Sequence, residues 1–136
     1  VEACSGARRV LVIHQHVCAC AVRRALEDVP SPEGGRRIAV GSFFDRVPDL
    51  VREGDVVFFD EDDLAKVLNG DGWDCVVADA FLRRVMDGGA AERVRWVDLP
   101  HFALSGRLAE DGDCADGIDP GDLLTNAQCG GTPCER

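Results

Sequence analysis

"RVLVIHQHVCACAVRRALED", residues 9–28, is the stretch that decides the fold. It opens on Val10-Leu11-Val12-Ile13, an aliphatic run without polar alternation, the pattern of a strand buried on both faces. From Val17 the spacing turns helical, with Cys18, Ala21, Val22, Ala25 and Leu26 on one face and Arg23 and Arg24 opposite. "VPSPEGG" (29–35) ends that helix, because Pro and Gly cannot continue it. A doubly buried strand running straight into an amphipathic helix is the first half of a parallel βαβ unit.

The pattern repeats along the chain. "RIAVGSFF" (37–44) reads as a second strand, and "VPDLVREG" (47–54) as a short helix with Pro48 in its first turn and Gly54 as its stop. "DVVFF" (55–59) is the third strand. Asp60 caps the helix "EDDLAKVLNG" (61–70), whose inner stripe is Leu64, Val67 and Leu68 and whose end is Asn69-Gly70. "WDCVVADA" (73–80) is the fourth strand, a helix follows around "FLRRVM" (81–86), and "VRWVDLP" (94–100) is the fifth strand. These elements predict an α/β, three-layer, Rossmann-like or chelatase-like domain over residues 1–110. Its parallel five-stranded sheet takes the order 3-2-1-4-5. After Pro100 the pattern decays: 101–117 reads as loop, 120–127 as a short helix capped by Asp119, and 128–136 as an irregular end. Residues 111–136 form an acidic, cysteine-containing extension.

The 136 residues suit one domain, and 46% apolar with 29% charged residues is a globular composition. A net charge of −10 excludes a nucleic-acid partner, which requires a clustered positive face. No apolar run approaches a membrane span, and no basic-started signal peptide appears. The chain begins Val1-Glu2-Ala3-Cys4 without Met, as a piece of a longer polypeptide would. Seven cysteines are an odd number, and Cys18, Cys20 and Cys75 lie within apolar stretches, so they read as thiols in a reducing cytoplasm.

In a sheet of this order, ligands collect at the carboxyl ends of the strands where the order reverses, between the first and fourth strands. The three histidines all fall there. His14, Gln15 and His16 follow the first strand, and His101 follows the fifth; Ser42 lies late in the second strand and Asp79 at the crevice side of the fourth. Asp79 is expected to face solvent or ligand and to tolerate Asn. Asp98 either orients the His101 ring or caps the following turn. The helix start beside His16 and Cys18 should lower a thiol's pKa and favour an anion. Cys18 and Cys20 point in different directions from one helix turn, so a four-ligand zinc site over 14–20 is not expected.

Other motifs are missing. There is no G-x-G-x-x-G after the first strand, no P-loop, and no nucleophile elbow, since Ala103 stands where "FALSG" would need Gly. "DGDCADGIDPGD" (111–122) imitates a calcium loop with Gly117 one place late. Cys129 and Cys134 suit a disulfide or a site completed by another chain.

Over residues 9–107 the chain resembles the nitrogenase component 1 group of oxidoreductases, built from several Rossmann-like domains. "RVLVIHQHVCACAVRRALE" resembles that family's opening strand and helix, and "GDVVFFDEDDLAKVLNGDGWDCVVADAFLRRV" its acidic turn, helix and following strand. "VRWVDLPHFALSGRL" resembles the strand and loop that carry a cofactor-binding histidine followed by Ser-Gly. Here His101 precedes Ser105-Gly106 with three residues between, where the family motif has four. The resemblance implies a domain forming one wall of a metallocofactor or reducible-substrate site, with His101 and His14 catalytic. It also implies metal contacts from His101 and Cys18, and cofactor contacts from Gln15, His16, Ser42, Asp79, Ser105 and Gly106. An iron–sulfur-type metallocluster in the full assembly, further domains or subunits in an oligomer, and an ATP-dependent iron–sulfur reductase as electron donor complete the expectation. Two other classes fit the residues: a metal-chelate or small-ligand binding module without turnover, and an assembly domain of a larger complex.

Overall fold

The computed structural model describes residues 2–43 and 46–106, and the expectations for 111–136, including Cys129 and Cys134, lie outside them. The first strand, β1 (Arg9–Ile13), is the centre of the sheet. It pairs in parallel with β2 (Arg37–Ser42) on one side and β4 (Cys75–Ala78) on the other. Beyond β2 lies β3 (Val56–Val57), and beyond β4 lies β5 (Arg95–Asp98). The order is 3-2-1-4-5 and every pairing is parallel, as expected.

Alternation along β1 builds the two cores. Val10 and Val12 face the side covered by α1 (His16–Glu27), packing with Ala19, Val22 and Leu26. Leu11 and Ile13 face the other side, against Leu64 and Leu68 of α2 (Glu61–Asn69) and Val94, which follows α3 (Gly88–Arg93). A strand sandwiched this way must be apolar at every position, which is what residues 10–13 are. Cys4 and Cys75 behave as small hydrophobes in the α1-side core, with Sγ atoms 3.6 Å apart.

Five expectations are corrected. The buried face of α1 carries Ala19 rather than Ala21, and it includes Arg23, which shares that face by its spacing from Ala19, Val22 and Leu26 and which its charge assigns to the solvent side. Arg23 is buried because Asp55 meets it: the two side chains are each 2% exposed and lie 2.7 Å apart. The same carboxylate accepts the backbone N–H of Val40 at 2.9 Å and of Arg52 at 2.8 Å. Asp55 thus takes the place of a strand partner for Val40, and β3 shrinks to two residues.

The helix expected around 81–86 is a 3₁₀ segment, Ala80–Val85, with Leu82 its buried residue. The helix that does form is α3, begun by Asp87, whose carboxylate accepts the Ala90 N–H at 2.7 Å. A side-chain cap there overrides the poor helical propensity of Gly88-Gly89. The short helix expected over 47–54 is only one 3₁₀ turn, Pro48–Leu50. Finally, the stretch read as loop after Pro100 contains a single helical turn, α4 (Phe102–Ser105), closed by Gly106 at φ 69°. No described helix is long and apolar enough to cross a membrane.

Candidate ligand crevice

At the carboxyl end of the sheet three segments enclose a cavity of about 470 Å³. Ile13 to His16 come from the end of β1 and the start of α1, Ser42 and Phe43 from the end of β2, and His101 to Leu104 from the turn after β5. The volume lies within the range of small-molecule sites. The fold brings His14 and His101 together from distant parts of the sequence, with ring centroids 4.3 Å apart and planes tilted by 42°.

The hydrogen bonds settle what His14 presents. Its Nε2 lies 3.1 Å from the carbonyl oxygen of Pro100. A carbonyl only accepts, so Nε2 carries the proton and Nδ1 is left as a bare lone pair. That Nδ1 is buried and without a hydrogen-bond partner among the described residues. The Nδ1 of His101 and the hydroxyl of Ser42 are in the same condition, and Ser42 is 2% exposed. Burial pushes His14 below the ordinary imidazole pKa, and the adjacent His101 acts in the same direction, so its ring is neutral at pH 7.

His16 also lines the cavity, but its ring is committed elsewhere. Its Nδ1 accepts the Val47 N–H at 3.1 Å, which leaves the proton on Nε2, 3.7 Å from the sulfur of Cys20. Burial lowers its pKa too. Gln15, at the start of α1, lines the cavity and makes no side-chain cap.

Asp79, expected to face solvent or ligand, is fully buried and does neither. Its carboxylate accepts the N–H of Phe81 at 2.8 Å and the N–H of His101 at 2.7 Å, and it takes the hydroxyl of Ser105. It ties the end of β4 to α4 and thereby sets where His101 stands. Ser105 therefore holds the turn rather than lining the cavity, and Gly106 is its left-handed cap. The Asp98 carboxylate caps the turn after β4, accepting the Ala80 N–H at 2.7 Å. Cys18 is not among the cavity-lining residues, and burial raises its thiol pKa, opposite to the expected effect of the helix start.

Sequence reasoning missed the apolar half of the lining. Phe43, Phe102 and Leu104 stand beside Ile13 around the polar atoms, and Phe102 is 66% exposed at the mouth. The signal available was the placement of aromatic residues directly after a strand end and after His101. Among the described residues no Arg or Lys lines the cavity. Four arginines stand instead at the opposite end of the strands, where Arg8, Arg9, Arg36 and Arg37 border a second concavity. There Arg9 is paired with Asp74 and Arg36 is bonded to the carbonyls of Ala7 and Leu26.

Among the described residues no group of three or more His, Cys, Asp or Glu is arranged to hold a metal ion. Compared with protein-family models, with curated proteins and with solved structures, the chain matches none.

Proposed function

We propose that this chain is one Rossmann-like domain of a nitrogenase component 1-type oxidoreductase, contributing one wall of a metallocofactor or reducible-substrate site. The observation that carries the reading is the His14–His101 contact, with a buried, unpartnered ring nitrogen on each, where the strand order reverses. The sequence resemblance over residues 9–107 supplies the family.

The residues fit a shared site and not a self-sufficient one. Two imidazoles give two donors, and no third ligand joins them among the described residues. A metallocofactor held here would take one bond from His101 and its remaining ligands from other parts of the assembly. Such a group, when bound, would supply the electrons for reduction. The chain's own contribution is position and protons. Asp79 fixes the His101 backbone, Pro100 fixes the His14 tautomer, and the His14 Nδ1 lone pair is placed to take a proton. Partners in this reading are the other domains or subunits of the reductase and an ATP-dependent iron–sulfur protein.

The test is purification of the native assembly through a tag on this chain. Larger subunits and stoichiometric iron should co-purify, and His101→Ala should lower the iron while the subunits still associate. A lone, metal-free chain would overturn the reading.

A second reading, a small-ligand module without turnover, draws on the lining itself. Ile13, Phe43, Phe102 and Leu104 surround the polar atoms with apolar surface, which suits an organic molecule. A lone chain that binds such a molecule would favour it.

A further inference from the structure

We infer that the crevice selects a ligand carrying an O–H or N–H donor on an apolar body, with His14 Nδ1 as the acceptor that reads it. The inference rests on the reading of the crevice as a ligand site and names the chemistry of what enters.

The argument is one of unsatisfied groups. With its proton held on Nε2 by the Pro100 carbonyl, His14, which lines the cavity, keeps only a lone pair on its buried Nδ1. A ligand that enters beside a buried acceptor and shields it from water without donating to it leaves that acceptor unsatisfied at a cost in free energy, whereas a ligand that donates avoids the cost. A metal ion is the other species that takes a lone pair, but the described residues bring no third ligand to it. The Ser42 hydroxyl, more than nine-tenths buried and also without a partner among the described residues, can accept a second donor or donate back to a hydroxyl oxygen. His101 Nδ1 offers a third polar contact.

An anion is poorly served. Among the described residues no Arg or Lys lines the cavity, the His14 ring is neutral at its lone pair, and the buried Asp79 carboxylate stands behind His101. The start of α1 is the feature that draws negative charge toward the opening. Ile13, Phe43 and Leu104 set the rest of the ligand as apolar.

The test uses the whole chain with ¹⁵N-labelled histidine and three probes of one shape. These are benzyl alcohol, benzyl methyl ether, which lacks the donor, and benzoate, which carries the charge. The alcohol should bind about tenfold tighter than the ether, the discrimination expected from one buried acceptor, and should move the His14 Nδ1 resonance. Benzoate should bind more weakly than the alcohol. In His14→Phe the alcohol-to-ether ratio should fall to about one, while Ser42→Ala should weaken the alcohol and keep the preference. If His14→Phe fails to fold, the wild-type Nδ1 shift and the Ser42→Ala ratio decide the matter. An ether that binds as well as the alcohol, or a tighter benzoate, overturns the inference and leaves the crevice as a ligand site. If no probe moves either the His14 or the His101 resonance, the inference and the crevice reading fall together, whatever metal or partner co-purifies.

Discussion

The Arg23–Asp55 pair and the His14–His101–Ser42 group are both buried polar clusters near the carboxyl half of the same sheet, and their hydrogen bonding is opposite. Around Asp55 every visible demand is met: Arg23 bonds the carboxylate and the Leu50 carbonyl, and two backbone N–H groups complete the set. Around His14 three buried polar atoms have no partner among the described residues. Natural interiors rarely leave such atoms unpaired, so the closed cluster holds the fold by itself while the open one depends on a partner from outside the protein, water or ligand. The contrast can be broken by experiment.

The largest effect belongs to the closed cluster. Asp55→Ala leaves the Arg23 guanidinium buried and uncompensated, and it should cost about 3–5 kcal/mol in urea unfolding. A loss within experimental error would show that water reaches the pair. Next comes Asp79→Asn. An amide keeps only one of the two accepting oxygens and presents its NH₂ to groups that themselves donate, so stability should fall by about 2–3 kcal/mol. That reverses the tolerance a strand-end aspartate would suggest, and an Asn variant as stable as wild type would return Asp79 to a ligand-facing role.

A smaller effect is set by pH. His16 has its pKa pushed down from the usual 6.5 by burial, so the folded state resists protonation that the unfolded chain accepts. Its contribution is whole above 6.5 and declines as the pH drops from there toward the folded value. Thermal melting between about pH 7.5 and 5 should show this decline added to that of His14, whose pKa burial also lowers, and His16→Gln should make it shallower without abolishing it. A second decline begins only in the carboxylate range. Burial alone would raise the Asp55 pKa, but the Val40 and Arg52 amides and Arg23 hold it below the ordinary value, so its stabilisation is lost on further acidification.

The smallest effect is predicted in the open cluster. Ser42→Ala removes a buried hydroxyl that has no partner among the described residues, so stability should change by no more than about 0.5 kcal/mol or should rise. A loss above about 1.5 kcal/mol would mean that Ser42 has a hydrogen bond in solution and belongs with the closed cluster.

The sheet was legible because Val10–Ile13 and Cys75–Ala78 are apolar at consecutive positions, a local property of strands covered twice. The gathering of His14 and His101 was legible for the same reason, since strand order alone carries both loops to one rim. What escaped was decided by partners far along the chain. The spacing of Arg23 from Ala19, Val22 and Leu26 turns it inward, but nothing local to α1 says that its charge can be buried there, because the partner that permits it is Asp55, 32 residues away. The His16 ring is withdrawn by Val47 in the same manner. Residues 80–93 depart from their helical spacing because two aspartate caps and the Asn69 side chain, which accepts the Asp87 N–H, outweigh it.

Gly41 carries a last consequence. A methyl group built on it would stand 2.6 Å from the ring of Phe58 and 3.2 Å from Ile13, in a place where the ring is wholly enclosed. Positions 41 and 58 therefore behave as a single inheritable unit. Alanine at the first forces the ring at the second to shift or to give way to a slimmer side chain, so the size of one sets what the other can be.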